Sequence, residues 1–300
     1  MCLSPALDVT YRVDQLRPGA TNRVAAVARR PGGKAVNVAR VLHGLGEPVR
    51  LLAPIGGAAG EEFAGEVAAL GLPAEFVRGD APTRSTATVV DDDGAATVFV
   101  EPAVIDCWDS LLVRAKEAIS TADAVVISGR VPTGAPQGAL GELVRRASGA
   151  GRPIVVDTSG PPLIDALRAG TTIAKPNADE LAEITGGSDA QRAARSLAAR
   201  YGTTIVASLG ADGVFVAGPA GEWRARPMAE LRGNPTGAGD ALVAGLARGL
   251  RTGAPMADVL PDAVALAAAA VLSPYAGEVD PARFAEQRTG VVVEKSEVPA

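Results

Sequence analysis

The sequence predicts an α/β fold, with a mostly parallel central sheet, helices on both faces and a small inserted β-sheet. Three observations carry this. From about residue 104 short apolar runs (DAVVIS, PIVVD, TTIVAS, GVFVAG) alternate with segments of helical period such as WDSLLVRAKEAIST and SDAQRAARSLAARYG, the pattern of successive βαβ units. Aromatic residues make up only 3% of the chain while 47% is apolar, which suits close helix-on-sheet packing better than a sandwich core built on large rings. Residues 8–31 and 84–103 break the alternation and read as strands of a separate sheet.

Taken in chain order, SPALD arrives after only three residues. That is too short for a full strand before it, so the start is expected to be truncated or to use a different first strand. TYRVDQL and TNRVAAVARR then alternate apolar and polar side chains, as does TATVVDDDGAATVFV, where the DDDG tetrad between two β-rich runs signals a hairpin turn. These segments predict a small antiparallel sheet with one apolar face. Such a sheet needs cover, either by closing over a ligand as a lid or by pairing with a second copy. The stretch from residue 31 to 46 is helical in pattern, and His43, the only histidine, follows Leu42 there with a structural role expected. No internal repeat or low-complexity linker interrupts the chain, so residues 1–300 are read as one domain. The tail VVVEKSEVPA is expected to fray.

Composition excludes several classes of function. A formal charge of −5 argues against general affinity for nucleic acid or anionic membrane, so any anionic ligand must be met by a local cluster. Cys2 and Cys107 are too few for a disulfide framework, and with neither a leader nor a long apolar run the expected location is cytoplasmic. A single histidine rules out a His-based triad, an HExxH zinc site and C2H2 fingers. Carboxylates, lysines and backbone amides are left to do any chemistry.

One stretch concentrates those groups. In NPTGAGDALVAGLARGL, residues 234–250, Leu242, Val243, Leu246 and Leu250 recur at helical spacing, and Arg248 and Arg251 lie towards the end where cations suit the dipole. A helix therefore begins near Gly239 or Asp240. Gly237, Ala238 and Gly239 carry little or no side chain, so their N–H groups can surround an anion at the helix N-terminus, phosphate above all. Asp240 is then either a helix-capping carboxylate, worth about 1 kcal/mol, or a base facing a hydroxyl whose proton must leave as a phosphoryl group arrives. The chain has no GxxxxGK[ST] loop and no GxGxxG, so neither a Walker-type nucleotidase nor a typical dinucleotide fold has its fingerprint.

PGGKAVNVARVLHGLG (31–46) and NPTGAGDALVAG (234–245), with SGRVPTGAP, VVDTSG, KPNADEL and VASLGADGVFV in order between them, resemble the signatures of the ribokinase-like (PfkB) carbohydrate kinases over nearly the whole chain. PALDVTYRVDQL and the lysine of GGK are similar to the branch acting on sugar phosphates: 1-phosphofructokinase, tagatose-6-phosphate kinase and the minor 6-phosphofructokinase. The resemblance implies an ATP-dependent kinase of a ketohexose phosphate, fructose 1-phosphate first. It makes Asp240 the base and Gly237, Ala238 and Gly239 the anion hole. Asp8, Gly32, Gly33 and Asn37 would hold sugar hydroxyls, Lys34 and Arg84 the substrate phosphate, with Ser128 and Arg130 nearby. Lys175, Asn177 and Glu180 would face the nucleotide, Glu180 organising Mg²⁺ through water, and Ser208, Gly210 and Gly213 would line the nucleotide bed. A homodimer through the lids is also implied.

The pattern departs from the family at the sugar side. Ser4 stands where asparagine is usual, Ala35 replaces the glycine after GGK, Arg130 takes the place of a serine, and VEPAV lacks an expected glycine. These departures leave the sugar open and keep two other readings in view: a non-catalytic sugar-phosphate or nucleotide sensor on the same fold, and a kinase of neutral sugars.

Overall fold

The computed structural model describes residues 1–228, 231 and 233–296. The first strand, β1 (Ala6–Arg12), returns antiparallel as β2 (Ala26–Gly32), with Asp8 opposite Arg30. Helix α1 (Lys34–Gly44) follows at once. A parallel pair, β3 (Leu51–Ile55) and β4 (Ala74–Arg78), is joined by α2 (Gly57–Ala69). The chain then re-enters the first sheet as β5 (Arg84–Val90) and turns through DDDG into the antiparallel β6 (Ala96–Val100).

This sheet has the order β2-β1-β5-β6. It is not antiparallel throughout, as the alternation suggested: β1 and β5 run parallel. The whole α1–β4 crossover separates them, and a long crossover lets the second strand run in the same direction as the first.

The rest of the chain builds the body: α3 (Trp108–Thr121), β7 (Val125–Ser128), α4 (Ala139–Gly149), β8 (Ile154–Asp157), α5 (Pro161–Arg168) and β9 (Ile173–Ala174). Helices α6 (Ala178–Thr185) and α7 (Ala190–Tyr201) precede β10 (Thr204–Ser208), β11 (Val214–Gly218) and β12 (Gly221–Pro227). Helices α8 (Ala238–Thr252), α9 (Met256–Val271) and α10 (Pro281–Thr289) then lead to β13 (Val291–Ser296). The sheet order is β13-β12-β11-β10-β9-β8-β7. Strands β7 to β10 pair in parallel. Beyond β10 the pairing turns antiparallel, because tight turns after β10 and β11 leave no room for a crossover.

The tail expected to fray is strand β13, bonded to the edge of β12 as far as Ser296. An edge strand offers a row of unpaired N–H and C=O groups that a neighbouring segment can satisfy. Residues 297–300 lie outside the described residues. Residues 1–3 thread between β3 and β7: Cys2 N–H donates to Leu52 O at 2.9 Å and the Met1 ammonium to Val126 O at 2.5 Å. Burial pulls that ammonium down to about 6. The first true strand is therefore β1, in the small sheet.

Helices α8 and α9 pack closely under the body sheet. A Cβ on Gly245 would lie 2.4 Å from Ala263 Cα, so the helices meet backbone against backbone at that point. Leu242, Leu246, Leu260 and Val264 close the surrounding core. Among the described residues no helix is long and apolar enough to cross a membrane. The carboxyl ends of β7 and β8 present Ser128 and Asp157 on one side of the body, where ligands of parallel sheets sit.

Candidate active site

The start of α8 is set by Gly237, which caps the helix at φ 87°. A Cβ there would meet Ala276 Cα at 2.9 Å, so both conformation and space demand glycine. The first-turn N–H groups of a helix have no intrahelical acceptor. Of these, Ala238 N–H already donates to Pro235 O at 3.2 Å, which removes Ala238 from the expected cradle and leaves the Gly237 and Gly239 amides in it.

Asp240 stands in that first turn but makes no side-chain cap. It is 6% exposed, and its Oδ2 accepts a hydrogen bond from Asn37 Nδ2 of α1 at 2.8 Å. Burial first, and the Asp157 charge second, push its carboxyl up to about 7, against Asn37, Lys34 and Lys175. A carboxylate poised there can take a proton near neutral pH.

Asp157, at the end of β8, is 1% exposed and anchors the floor of the site. Lys175 Nζ lies 3.2 Å and Lys34 Nζ 3.4 Å from its carboxylate, and Ser128 Oγ donates to it at 3.0 Å. Burial would push the Asp157 carboxyl up, but the two ammoniums more than offset this and hold it below its ordinary value. Lys175 follows β9 and is itself buried, and a Cβ on Gly239 would lie 3.6 Å from its Nζ. This cation therefore stands beside the α8 cradle.

Asn177 and Glu180 form a capping box at α6: Glu180 N–H donates to Asn177 Oδ1 at 2.8 Å, and Asn177 N–H to Glu180 Oε2 at 2.9 Å. The other Glu180 oxygen, Oε1, faces Lys34 Nζ at 3.7 Å. Burial works against the Lys34 charge, yet Asp157, Glu180 and Asp240 raise its ionisation above the ordinary value. Lys34 thus leans toward the carboxylates.

The remaining residues expected on the sugar side gather at the base of the small sheet. Asp8 is flanked in register by Arg30 and Thr86. Burial raises its carboxyl, opposed by Thr86, Arg84 and Arg40. Gly32 lies against it, since a Cβ there would stand 1.9 Å from Asp8 Oδ2, and Gly33 caps α1. Arg84 makes only long bonds, 3.4 Å to Thr86 Oγ1 and 3.5 Å to Ser4 O, and its buried Nε has no acceptor among the described residues.

Ser4 therefore meets Arg84 through its backbone. Ala35 is buried among Cys2, Val36, Leu51 and Ala53, so its methyl belongs to the core and not to the sugar side. Arg130 is exposed beyond Gly129. On the other flank Ser208 bridges to Asn177, while Gly210 and Gly213 bound a 3₁₀ turn. There a Cβ on Gly213 would strike Ala225 O at 2.2 Å, which is a packing reason for glycine independent of any nucleotide.

Sequence reasoning assigned no role to Asp157 and missed the Asn37–Asp240 bond. The one available signal was a charge ending the all-apolar run PIVVD, since a carboxylate at a strand's carboxyl end in such a sheet faces the ligand side.

Known proteins resemble this chain in sequence and in fold. Residues 2–283 match the family described as pfkB family carbohydrate kinase. Phosphofructokinase-2 from Escherichia coli in complex with potassium is 27% identical with a TM-score of 0.90, the match covering 96% of each chain. The same enzyme in complex with fructose-6-phosphate gives 27% and 0.84, again over 96% of each. A protein from Thermotoga maritima described as a possible 1-phosphofructokinase gives 26% and 0.86, over 99% of this chain and 98% of that one. This chain belongs to the pfkB family of carbohydrate kinases and is an ATP-dependent sugar kinase.

Proposed function

We propose that the protein transfers the γ-phosphoryl group of ATP to a ketohexose phosphate, fructose 1-phosphate before tagatose 6-phosphate and fructose 6-phosphate. The observation that carries this reading is Arg84. Its buried, unpartnered Nε and two long hydrogen bonds leave a guanidinium with donors to spare beside Asp8, as an anionic group on the acceptor requires. The order of acceptors follows the sequence resemblance.

In this reading Asp240 takes the proton of the acceptor hydroxyl as that oxygen bonds to the γ-phosphorus and the bond to the β-phosphate oxygen breaks. Asn37 holds the carboxylate by Oδ2, so its role is to orient the base. The first-turn amides of α8 and the Lys175 ammonium meet the charge on the transferring group, a term worth about 3–4 kcal/mol per donor in comparable anion holes. Asp157 keeps Lys175 in place.

For Mg²⁺, no cluster of three or more acidic, cysteine or histidine ligands exists among the described residues. The donor set instead offers Glu180 Oε1, the oxygen its capping box leaves unused. That fits an ion that arrives on the nucleotide phosphates and keeps several waters. When bound, Mg²⁺ supplies charge neutralisation on those phosphates.

The small sheet leaves Val27, Val98, Phe99 and Val100 exposed. By register Val27 and Phe99 share one face of this sheet and Val98 and Val100 the other. Large apolar side chains left exposed together mark an interface, and we infer a homodimer through this sheet. Sedimentation showing only monomer at micromolar concentration would count against that.

The test of the reaction is ADP release with Mg-ATP against the three phosphosugars, fructose and ribose, with Asp240→Asn as control. Turnover of one phosphosugar, lost in the variant, is expected. Equal turnover of fructose or ribose would replace this reading with a kinase of neutral sugars.

A further inference from the structure

Glu278, in the segment between α9 and α10, receives two guanidinium groups on one oxygen. Arg40 Nη2 lies 2.8 Å from Oε1, and Arg30 Nη1 meets the same atom. Arg40 is only 8% exposed at its side chain, so its charge depends on that carboxylate. Arg30 also stacks 3.6 Å above the Tyr275 ring, a cation–π contact within the same segment.

The three partners belong to three different parts of the site. Arg30 stands on β2 directly across from Asp8. Arg40 follows Asn37, the residue that holds the base, by three positions on α1 and so shares its face. The Glu278 segment itself backs the cradle: Ala276 lies against Gly237, Gly277 against Asn37, and Ala276 O accepts from Arg40 Nη1 at 3.0 Å.

We propose that Glu278 is a positioning residue for phosphoryl transfer, a latch that holds the lid strand opposite Asp8 in register with the helix that orients Asp240. This rests on the reading that the acceptor binds at the base of the lid. The neighbouring pair Arg29–Glu62 also ties β2 to the body and is about as exposed as Arg30–Glu278. It has neither the buried Arg40 on its carboxylate nor a ring stacked under its guanidinium, and isolated surface pairs contribute little. It is the natural control.

The experiment compares Glu278→Gln, Arg30→Met and Glu62→Gln with the wild type by amide hydrogen exchange and by steady-state kinetics. Arg30→Met leaves the Arg40–Glu278 pair intact, so it separates the latch from any folding defect of Glu278→Gln. Both latch variants are expected to speed exchange across residues 26–32 by about tenfold while α8 stays protected, as local opening of one unit does. They should also raise the acceptor KM more than they lower kcat, with the ATP KM unchanged; Glu62→Gln should do neither. Unchanged exchange in residues 26–32, equal acceleration of α8, or the same effect from Glu62→Gln would overturn the proposal. If the wild type turns over no phosphosugar, the acceptor assignment fails while the exchange data still decide on the latch.

Discussion

The two main sheets use similar side chains to opposite ends. In the body, Val155 and Val156 of β8 and Val206 of β10 are fully buried, with helices on both faces. In the lid, every residue of β6 is exposed and Phe99 stands 59% open. Valine and threonine suit either setting as strand formers; what differs is whether a helix follows to cover them. The body thus holds Asp157 and Lys175 in fixed, buried positions, while the small sheet leaves its outer strand open to solvent.

The strongest way to sharpen that contrast is to change the base. Asp240→Asn should lower kcat by about 10²–10⁴ without unfolding the protein, measured by ADP release and by melting. The wild-type kcat/KM should rise through about pH 7, the value to which burial and Asp157 push this carboxyl, and the limb should vanish in the variant. The sign for stability is opposite. A carboxyl raised in the folded state binds its proton more tightly there than in the unfolded chain, so its contribution falls as pH rises from the ordinary carboxylate range to about 7 and is level above. Melting temperature against pH should show that slope in the wild type and lose it in Asp240→Asn.

Next in size is the buried pair beneath it. Lys175→Met leaves Asp157 in the floor with one ammonium fewer, and urea unfolding should show a loss of about 3 kcal/mol. Adding Asp157→Asn should recover part of that loss.

Smaller again is a test of packing between α8 and α9. Alanine is the better helix former, by about 0.5–1 kcal/mol over glycine in an open site. At Gly245 the Cβ would lie 2.4 Å from Ala263 Cα, so Gly245→Ala should instead cost about 1–3 kcal/mol. A neutral or stabilising result would show that the two helices move apart freely.

The smallest effect on the protomer belongs to the lid. Val98→Ser with Phe99→Ser should change unfolding stability by no more than about 0.5 kcal/mol, yet should shift sedimentation from dimer to monomer. A large loss of protomer stability would mean that these side chains pack on the body after all.

Much of this was legible along the chain because it is local. The runs DAVVIS, PIVVD, TTIVAS and GVFVAG all contain strands, the DDDG tetrad turns β5 into β6, and α8 begins within two residues of the expected point. Periodicity reports which residues are buried, and turn chemistry reports where the chain reverses. Neither reports a strand's partner. That is why the parallel pairing of β1 with β5, the antiparallel turn of the sheet after β10 and the docking of β13 on β12 were not legible.

The candidate site divides along the same line. The sequence by itself determined a helix start near Gly239 or Asp240, within two residues of the observed one, and a carboxylate in its first turn, since each is a matter of near neighbours and backbone conformation. Only the tertiary structure decided that Asn37 holds Asp240 across 203 positions of chain, that Asp157 binds two lysines, and that Ala35 is core. Those facts depend on which buried polar groups meet once the sheets are packed. A buried charge must find its partner wherever the fold brings one.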